Sequence, residues 1–524
     1  MAALNRRAFI AAGVTVGVGL AVATPFVLGG AGQPSTGAQL RSRARLPRPF
    51  SMTLRRPPIL KPTATDGGVD RYDMTAHLAT ATILPGLRTP ILGFGGVFPG
   101  PTIESRTGRP VVIRHRNALP IPLVVHLHGG HTPHDSDGYP TDYIYPEDMT
   151  YLDQHPSMDH DAQAMPAGGT TRGSRVYTYP QRQRAAMLWY HDHRMDFTGP
   201  SVWHGLAGLH IVRDDEEDAL GLPGGTSELP LVLTDRAFDA DGSFLYPSVD
   251  RTLVGTPGVT GDFVAGVLGD VMLVNGVPWP VTDVSRGSYR LRILNACNAR
   301  RLRLRLDPPP SDGIVQIGTE GGLLGEPLTH EAFELAPAQR LDAVVDFSGY
   351  RPGTEVTLVD DFGDGAMGSI MRFRIGDARG VRFTPPSTLS AFERLHPSAA
   401  TVTRRFRFQR GSVDHRNGWI IDGAPFSPTT IAARPRLGAV EVWELFADFH
   451  HPVHIHLDPF QVVGRGIQGP GPYDAGWKDT IDLRPGEQAR IAVRFTDHVG
   501  RFVFHCHNLE HEDMAMMANF ETVP

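Results

Sequence analysis

The residues best suited to do chemistry lie near the end of the chain. The run reads His505-Cys506-His507-Asn508-Leu509-Glu510-His511, and Met516 follows five positions later. The preceding Phe-Val-Phe predicts a strand, on which alternate side chains point to opposite faces. Cys506 should therefore face away from its two neighbouring histidines. A thiolate, imidazoles and a thioether together are typical of a blue-copper electron-transfer site.

Three further histidine clusters occur earlier in the chain. They are His126-Leu127-His128-Gly129, His191-Asp192-His193 and His451-Pro452-Val453-His454-Ile455-His456. Each contains a His-x-His pair, which on a strand places both imidazoles on one face. A single pair arises by chance and also occurs in cupin-type and zinc hydrolase sites, but chance is a poor explanation of four clusters. Cysteine and methionine beside imidazole favour copper over zinc, calcium or magnesium.

Short strands must position these clusters. A chain of 524 residues suggests about three domains. Runs typical of strands, such as residues 110–114, 289–294 and 341–347, alternate with Gly and Pro, and no long amphipathic helix competes with them. This pattern predicts all-β sandwiches or barrels. A strand-turn-strand layout recurs three times, and only its first and third copies carry the histidine clusters, which predicts a site between the two outer domains.

Charge and cysteine content narrow the possible partners. The formal net charge is −6, which gives no electrostatic reason to expect nucleic acid or an anionic membrane surface. The chain has two cysteines, Cys297 and Cys506. If Cys506 binds a metal, no structural disulfide can form, and Cys297 is expected to be an inert thiol in the core.

The beginning of the chain predicts export. Arg6 and Arg7 precede an apolar stretch that runs to about Leu28, a pattern that resembles a twin-arginine signal. We expect residues 1–32 to be this signal and residues 33–65 to be an extended lead-in. The alternative is a membrane anchor, since the stretch is about long enough to span a bilayer. Its many Gly, Ala and Thr residues favour a periplasmic, secreted or cell-wall-associated protein with no membrane span in its mature form.

The four clusters, in this order and with a Cys-x4-His-x4-Met ending, resemble the multicopper oxidases. The resemblance runs from about residue 47 to the end of the chain. Further matches at residues 135–140, 205–209 and 369–375 are similar to the branch that contains bacterial spore-coat laccase, bilirubin oxidase and phenoxazinone synthase. The resemblance implies three consecutive cupredoxin-like Greek-key domains, which we expect at residues 66–215, 226–378 and 398–524, the middle one without copper.

The resemblance also implies four copper ions and their ligands. His451, Cys506, His511 and Met516 would hold a mononuclear type 1 copper, and His126 and His454 a type 2 copper. A type 3 pair would be held by His128, His191, His193, His456, His505 and His507. Asp137 and Glu512 match the acidic residues of the family that relay protons, so we expect Asp137, Glu512 and Cys506 to take part in the reaction.

The implied activity is that of a laccase-like oxidoreductase. It would oxidise small phenols or aromatic amines by single electrons and couple this to the four-electron reduction of dioxygen to water. We expect electrons to enter through an exposed edge of His451 or His511, with Phe449, His450, Asp458 and residues 464–476 lining the approach.

Two alternatives keep the same fold. A cuprous-ion oxidase in copper tolerance would commonly carry a Met-rich segment, and the group Met514, Met516 and Met517 is too short to make one. A non-catalytic scaffold of the cell envelope would lack copper ligands, whereas this chain has every ligand that the resemblance requires.

Overall fold

The computed structural model describes residues 36–147, 169–413 and 416–524. The predicted export signal lies outside these residues. Strands dominate the described chain, and its α-helices are short: α1 is Thr198–His204, α2 is Asp215–Ala219 and α3 is Leu509–Glu512. No helix in the described residues is long and apolar enough to cross a membrane. The prediction of an all-β protein is confirmed.

The first strands build one pair of sheets. They are β1 (Ala38–Gln39), β2 (Ala64–Asp66), β3 (Val69–Ala81), β4 (Thr89–Phe94), β5 (Gly100–Arg106), β6 (Val111–Ala118), β7 (Val125–His128), β8 (Ile144–Tyr145), β9 (Thr171–Arg172), β10 (Ser174–Tyr179), β11 (Ala186–Asp192) and β12 (Ala207–Arg213). One sheet has the order β10-β6-β3-β2, with β4 beside β3, and the other has the order β5-β12-β11-β7. β1 belongs to neither of them, and β8 and β9 form a two-stranded sheet of their own. Met74 and Ile113 of the first sheet share a buried core with Leu127 and Leu188 of the second.

The middle strands build a second pair. They are β13 (Glu228–Arg236), β14 (Val267–Leu268), β15 (Val271–Val274), β16 (Val277–Pro278), β17 (Val281–Arg286), β18 (Ser288–Asn295), β19 (Leu302–Asp307), β20 (Ile314–Thr319), β21 (Gly322–His330), β22 (Ala332–Leu335), β23 (Arg340–Asp346), β24 (Glu355–Asp360) and β25 (Ser369–Arg379). The sheets have the orders β16-β15-β13-β18-β23-β20-β21 and β17-β25-β24-β19-β22, and β14 lies outside both of them. Leu291 and Val345 of the first pack with Leu304 and Phe373 of the second.

The last strands build a third pair. They are β26 (Val402–Val413), β27 (Arg416–Ile421), β28 (Ile431–Ala433), β29 (Val440–Ala447), β30 (His451–Ile455), β31 (Phe460–Arg465), β32 (Thr480–Leu483), β33 (Gln488–Arg494), β34 (Gly500–Cys506) and β35 (Met517–Thr522). The sheets have the orders β27-β26-β29-β33-β31 and β28-β35-β34-β30-β32. On β26, Phe406 and Phe408 point into the core while Arg405 and Arg407 are exposed, as period-two alternation requires.

The three pairs of sheets repeat one topology. In each pair, two parallel strand contacts join segments that are not consecutive in the chain. They are β3 with β6 and β5 with β12, then β13 with β18 and β17 with β25, then β26 with β29 and β28 with β35. Neighbouring parallel strands need a crossover, so the chain passes back and forth between the two sheets of each sandwich. The same arrangement of parallel contacts thus occurs three times in the described residues.

The lead-in follows the surface of the second pair of sheets. β1 pairs in parallel with β14, and further along the Leu54 amide donates to the Val281 carbonyl at 2.9 Å. The Leu60 amide then donates to Thr102 of the first pair at 2.8 Å. Backbone hydrogen bonds thus attach an extended segment that forms almost no regular structure of its own.

Candidate metal centre

Four strands bring the histidine pairs together. In the first pair of sheets β7 lies beside β11, with His126 opposite His191. In the third pair β30 lies beside β34, with His454 opposite His505. The two sheets meet with the Nε2 atoms of His126 and His454 3.4 Å apart, although 328 residues separate them in sequence. The site forms between the first and third pairs of sheets, as the sequence predicted.

Eight histidines make up the group that we name the histidine cluster. They are His126, His128, His191, His193, His454, His456, His505 and His507, and each is at most 1% exposed. Several sets of three have ring nitrogens that all lie within 4.8 Å of one another. Two pairs of rings also stack, His126 on His456 and His128 on His454, at centroid distances of 3.8 and 3.6 Å.

Outer contacts fix the tautomer of most of these rings. The Nδ1 atom of His456 lies 2.7 Å from the Asp137 carboxylate, and that of His126 lies 2.5 Å from the Asp137 carbonyl. The Nδ1 atom of His454 lies 2.8 Å from the carbonyl of Asp479. A neutral imidazole donates from one nitrogen and keeps a lone pair on the other. We assign the N–H to Nδ1 in these rings, so their Nε2 lone pairs point into the cluster.

The Nε2 lone pairs of these rings point toward one another, with no proton between them to form a hydrogen bond. The Nε2 atom of His456 lies 3.3 Å from that of His193 and 3.3 Å from that of His505. Burial lowers the pKa of His193 and His456 well below the ordinary value of 6.5, so both rings are neutral. Lone pairs at this distance repel one another, and a bound cation would turn the repulsion into attraction.

Other nitrogens of the cluster have no hydrogen-bond partner. They include both ring nitrogens of His507, Nε2 of His191 and Nδ1 of His128. His128 is turned the other way round, because its Nε2 lies 3.1 Å from the Asp479 carboxylate. A buried polar atom without a partner costs about 1–3 kcal/mol, so these nitrogens fit a role as metal ligands better than a role in an apolar core.

Two carboxylates that the sequence singled out lie against the cluster. Glu512 places one oxygen 3.2 Å from Nδ1 of His193 and the other 3.0 Å from Nδ1 of His505. Asp137 contacts His456 and is 1% exposed. Burial raises the pKa of the Asp137 carboxyl to about 6. This value suits a group that holds and releases a proton near neutral pH.

Cys506 and two histidines form a second group, which we name the thiolate site. The Cys506 sulfur lies 3.5 Å from Nδ1 of His451 and 3.5 Å from Nδ1 of His511. Both Nε2 atoms are engaged elsewhere, His451 with the Asp448 carboxylate at 3.2 Å and His511 with the Ala265 carbonyl at 3.2 Å. The lone pairs on Nδ1 therefore face the sulfur.

Met516 is attached to the thiolate site through its backbone. Its amide donates to the His511 carbonyl at 3.1 Å, and its carbonyl accepts from the Cys506 amide at 3.1 Å. The side chain is fully buried in the same core as Cys506. A thiolate, two imidazoles and a thioether suit copper, and imidazole nitrogens alone suit the metals of the histidine cluster. The residues present therefore fit copper in both places.

Comparison with known proteins agrees with this chemistry. Two family models described as multicopper oxidase match residues 75–152 and 398–524. The chain is 32% identical over 515 residues to a laccase of Bacillus subtilis, covering 88% of this chain and 96% of that protein. It is also 32% identical over 508 residues to a bilirubin oxidase of Albifimbria verrucaria, covering 90% and 81%.

A solved structure extends the likeness to the fold. The crystal structure of a multicopper oxidase from Pediococcus acidilactici superimposes with a TM-score of 0.77 at 32% identity, covering 93% of each chain. The chain belongs to the multicopper oxidase family. Copper is accordingly its cofactor, and the three sandwiches of this oxidase are cupredoxin-like domains.

One expectation about the oxidase was wrong. Neither His451 nor His511 has an exposed edge, because both side chains are fully buried. The indole of Trp419 stacks on His511 at a centroid distance of 3.8 Å. Asp448, whose side chain is 41% exposed, covers the outer nitrogen of His451. The strand pattern could not predict these covers, since each comes from a different strand or loop.

The residues that we expected to line the approach to His451 and His511 do not lie together. Phe449 lies beside Trp419, at a centroid distance of 5.5 Å. His450 is instead buried, with Nε2 2.9 Å from the Asp482 carboxylate. Asp458 accepts from the Thr496 amide at 3.0 Å and lies 3.2 Å from Nδ1 of His131. Residues 464–476 close on themselves, with Arg465 bound to Asp474 at 2.6 Å.

Three residues at the two sites had no signal in the sequence. Trp419 and Asp448 cover the thiolate site of the oxidase, and Asp479 contacts the cluster. Asp479 is 351 residues from His128, and Arg340 holds its carboxylate at 2.6 and 2.8 Å. No local pattern marks such residues, because only the packing of distant strands brings them to the site.

Proposed function

We propose that this multicopper oxidase is laccase-like. It removes single electrons from phenols or aromatic amines at the thiolate site and delivers them to dioxygen at the histidine cluster, producing water. The observation that best supports this proposal is the position of Cys506. Its sulfur belongs to the thiolate site, while its chain neighbours His505 and His507 belong to the histidine cluster. The names of its relatives, a laccase and a bilirubin oxidase, support an aromatic donor.

We assign one copper ion to the thiolate site, held by His451, Cys506, His511 and Met516. Three belong to the cluster: a type 2 ion on His126 and His454, and a type 3 pair on His128, His191, His193, His456, His505 and His507. Bound copper would supply the one-electron steps and the reduction of dioxygen. The unshared ring nitrogens and the converging lone pairs support this assignment.

Asp448 is our proposed docking point for the donor. Its carboxylate is half-exposed, lies 3.2 Å from Nε2 of His451 and is held by the Arg410 amide at 2.8 Å. A phenol that donates a hydrogen bond to Asp448 is separated from His451 by one carboxylate group. Oxidation of a phenol releases a proton with the electron, and Asp448 is placed to accept it.

The chain itself offers the path between the sites. One peptide unit joins Cys506 to His505 and another joins it to His507, so electrons have a short covalent route. Reduction of dioxygen to water consumes one proton for each electron. We propose that Asp137 and Glu512, which lie against His456, His193 and His505, supply those protons.

Dioxygen needs access to the buried cluster. A cavity of about 400 Å³ is lined at its inner end by His454 and Asp479 and includes the exposed Arg182. We propose that dioxygen and water use this cavity, while donors stay at the thiolate site.

We also propose that the protein is exported by the twin-arginine route. The Arg6-Arg7 pair before an apolar stretch supports this. The domain boundaries at residues 66–215, 226–378 and 398–524 likewise remain our proposal, and each range contains most of one pair of sheets. Growth of an Arg6→Lys, Arg7→Lys variant followed by cell fractionation tests the export, because the variant should stay in the cytoplasm.

A donor panel tests the function. Copper-loaded protein is given phenols, aromatic amines or cuprous ion, and dioxygen uptake is measured. Aromatic donors should give the faster uptake, and Asp448→Asn should raise the KM for phenols about tenfold, the value of one charged hydrogen bond. Asp422→Asn is the matched control, because Asp422 likewise accepts a backbone N–H of β26, from Arg407 at 2.8 Å.

Two results of this panel would contradict the proposal. Faster uptake with cuprous ion than with every aromatic donor would identify a metal oxidase instead. The chain does not favour a Met-rich segment that would bind cuprous ion, since Met516 and Met517 are both buried. Equal KM values for phenols in the Asp448 and Asp422 variants would remove Asp448 from the docking site.

A further inference from the structure

Residues 264–270 form one wall of the thiolate site, and we name them the wall segment. The Ala265 carbonyl accepts from Nε2 of His511 at 3.2 Å, and the Val264 carbonyl accepts from the Trp419 indole at 2.7 Å. The Val267 amide donates to the Glu510 carboxylate at 3.0 Å. The middle pair of sheets carries no predicted copper ligand, yet through this segment it fixes the outer nitrogen of one.

The lead-in holds the opposite side of the wall segment. The Ala38 amide donates to the Gly266 carbonyl at 3.0 Å, and the Leu40 amide donates to the Leu268 carbonyl at 2.8 Å. Ser42 then binds both oxygens of Asp270, through its amide at 2.7 Å and its hydroxyl at 2.5 Å. We name residues 36–43 the strap.

The strap is the main strand partner of the wall segment. Within the described residues, β14 of the wall segment pairs with no strand other than β1 of the strap. The far end of the segment is attached to its own sandwich, with the Gly269 amide donating to Asp235 at 2.8 Å. Residues 264–268 therefore lie between the strap on one side and the thiolate site on the other.

The contact is close enough to require glycine on both sides. Gly37 has φ +139°, and a Cβ there would lie 2.5 Å from the Gly266 carbonyl oxygen. Gly266 has φ +135°, and a Cβ there would lie 2.6 Å from the Ala299 side chain and 2.9 Å from the Thr36 carbonyl oxygen. Any larger residue would separate the two backbones, because these neighbours are backbone atoms or a short side chain.

We propose that the strap is a positioning element of the thiolate site. By holding residues 264–268 in place, it fixes the carbonyls that orient His511 and Trp419. Hydrogen bonds to the outer nitrogen of a metal-binding histidine set its orientation and basicity, so the strap tunes the copper held there. This rests on the proposed function. It also makes the first described residues of the lead-in a support of the electron-accepting site.

The test compares two matched proline variants. Leu40→Pro removes the N–H that binds the wall segment, and Leu54→Pro removes an equivalent N–H that binds Val281, away from the thiolate site. Hydrogen–deuterium exchange of residues 264–268 is measured first on copper-free protein. We expect it to be about tenfold faster in Leu40→Pro, the effect of losing one hydrogen bond, and unchanged in Leu54→Pro. Gly37→Ala should resemble Leu40→Pro.

Copper-loaded protein supplies the second measurement. Leu40→Pro and Gly37→Ala should shift the visible absorption band and the reduction potential of the thiolate site, with the copper content of the cluster unchanged. Ser42→Ala removes only the hydrogen bonds of the Ser42 hydroxyl and should give the same effect to a smaller degree. It replaces a stronger variant that does not fold.

Two outcomes would overturn the proposal. One is unchanged exchange in the wall segment of Leu40→Pro, and the other is an equal change in Leu54→Pro, which would mean general destabilisation. The copper-free measurement keeps this test separate from the proposed function. Faster exchange in a protein that binds no blue copper would show that the strap holds the wall segment, and it would reject the proposed function.

Discussion

The thiolate site and the histidine cluster are built on opposite plans. The thiolate site draws its predicted ligands from residues 451–516, all in the third pair of sheets. The cluster takes half of its histidines from residues 126–193 and half from residues 454–507, on two pairs of sheets. The ring nitrogens differ too, since Nδ1 faces the metal position in the first and Nε2 in most of the second. One fold thus makes a site within a domain and another between domains.

Their outer partners differ in the same way. Imidazole N–H groups of the cluster lie against the buried carboxylates of Asp137 and Glu512. Those of the thiolate site lie against the Ala265 carbonyl and the half-exposed Asp448. The two carboxylates of the cluster are buried, whereas the one carboxylate of the thiolate site is open to solvent. The difference suits the proposed roles, in which Asp448 accepts the proton of a donor at the surface and the buried carboxylates supply protons to dioxygen at the cluster.

Cys506→Ser should have the largest effect, and it should change the thiolate site while leaving the histidine cluster intact. It removes the soft sulfur of the thiolate site and none of the cluster histidines, so the chain should lose one copper ion and its intense visible absorption. Turnover should fall at least roughly a thousandfold. Copper analysis and dioxygen uptake measure both effects. Cys297→Ser is the control, since that buried thiol contacts the Leu233 carbonyl and neither site. Retained turnover in Cys506→Ser would rule out the electron path.

Asp137→Asn should affect only the cluster. The amide keeps an oxygen near His456 but cannot carry the proton, so dioxygen reduction should slow about a hundredfold. The absorption of the thiolate site should not change. Single-turnover reoxidation by dioxygen measures the step directly. Asp135→Asn, an exposed carboxylate two residues earlier, should behave like the parent protein. Equal rates in the two variants would mean that Asp137 is structural.

The contact between the outer sandwiches should weaken in alkali. His131 follows β7 and lies 3.2 Å from Asp458 and 2.6 Å from Asp497 in the third pair of sheets. Burial alone would lower the pKa of His131, but these two carboxylates raise it to about 9. The folded state therefore keeps a proton that the unfolded chain releases near pH 6.5. The resulting stabilisation is complete below that value and is lost as the pH rises through about 9.

Urea unfolding at about pH 6 and about pH 10 measures this contribution, which should be about 2 kcal/mol after allowing for the partly exposed Asp497. In His131→Gln, this contribution to the free energy of unfolding should be absent at both pH values. Copper should leave the cluster before the thiolate site as the pH rises, because only the cluster spans the two sandwiches. A pH dependence that is identical in His131→Gln would assign it to other groups.

Trp419→Phe should give the smallest effect, confined to the thiolate site. The phenyl ring can still cover His511, but the indole hydrogen bond to Val264 is lost, at a cost of about 1 kcal/mol. A small shift of the visible absorption band is expected. Trp443→Phe is the matched control, because it loses a similar bond to Glu441 at 2.9 Å within the same core. Equal spectra in both variants would exclude a role for Trp419 in tuning the site.

The sequence by itself determined the chemistry of both sites. His-x-His pairs on strands, a cysteine facing the other way and a following methionine depend only on the alternation of neighbouring side chains, which local backbone geometry sets. Three copies of a strand layout, with histidines in the outer two, placed the cluster between domains. The sequence thus named the side chains that β7, β11, β30 and β34 bring together.

Only the tertiary structure decided how those side chains are held and covered. The nitrogen that each ring presents depends on partners such as Asp479, which is 351 residues from His128. Burial of His511 depends on Trp419 and on Ala265 of another sandwich, which the strap supports from outside. These contacts join segments hundreds of residues apart. Local periodicity carries no information about them, because the packing of whole sheets sets which distant residues meet.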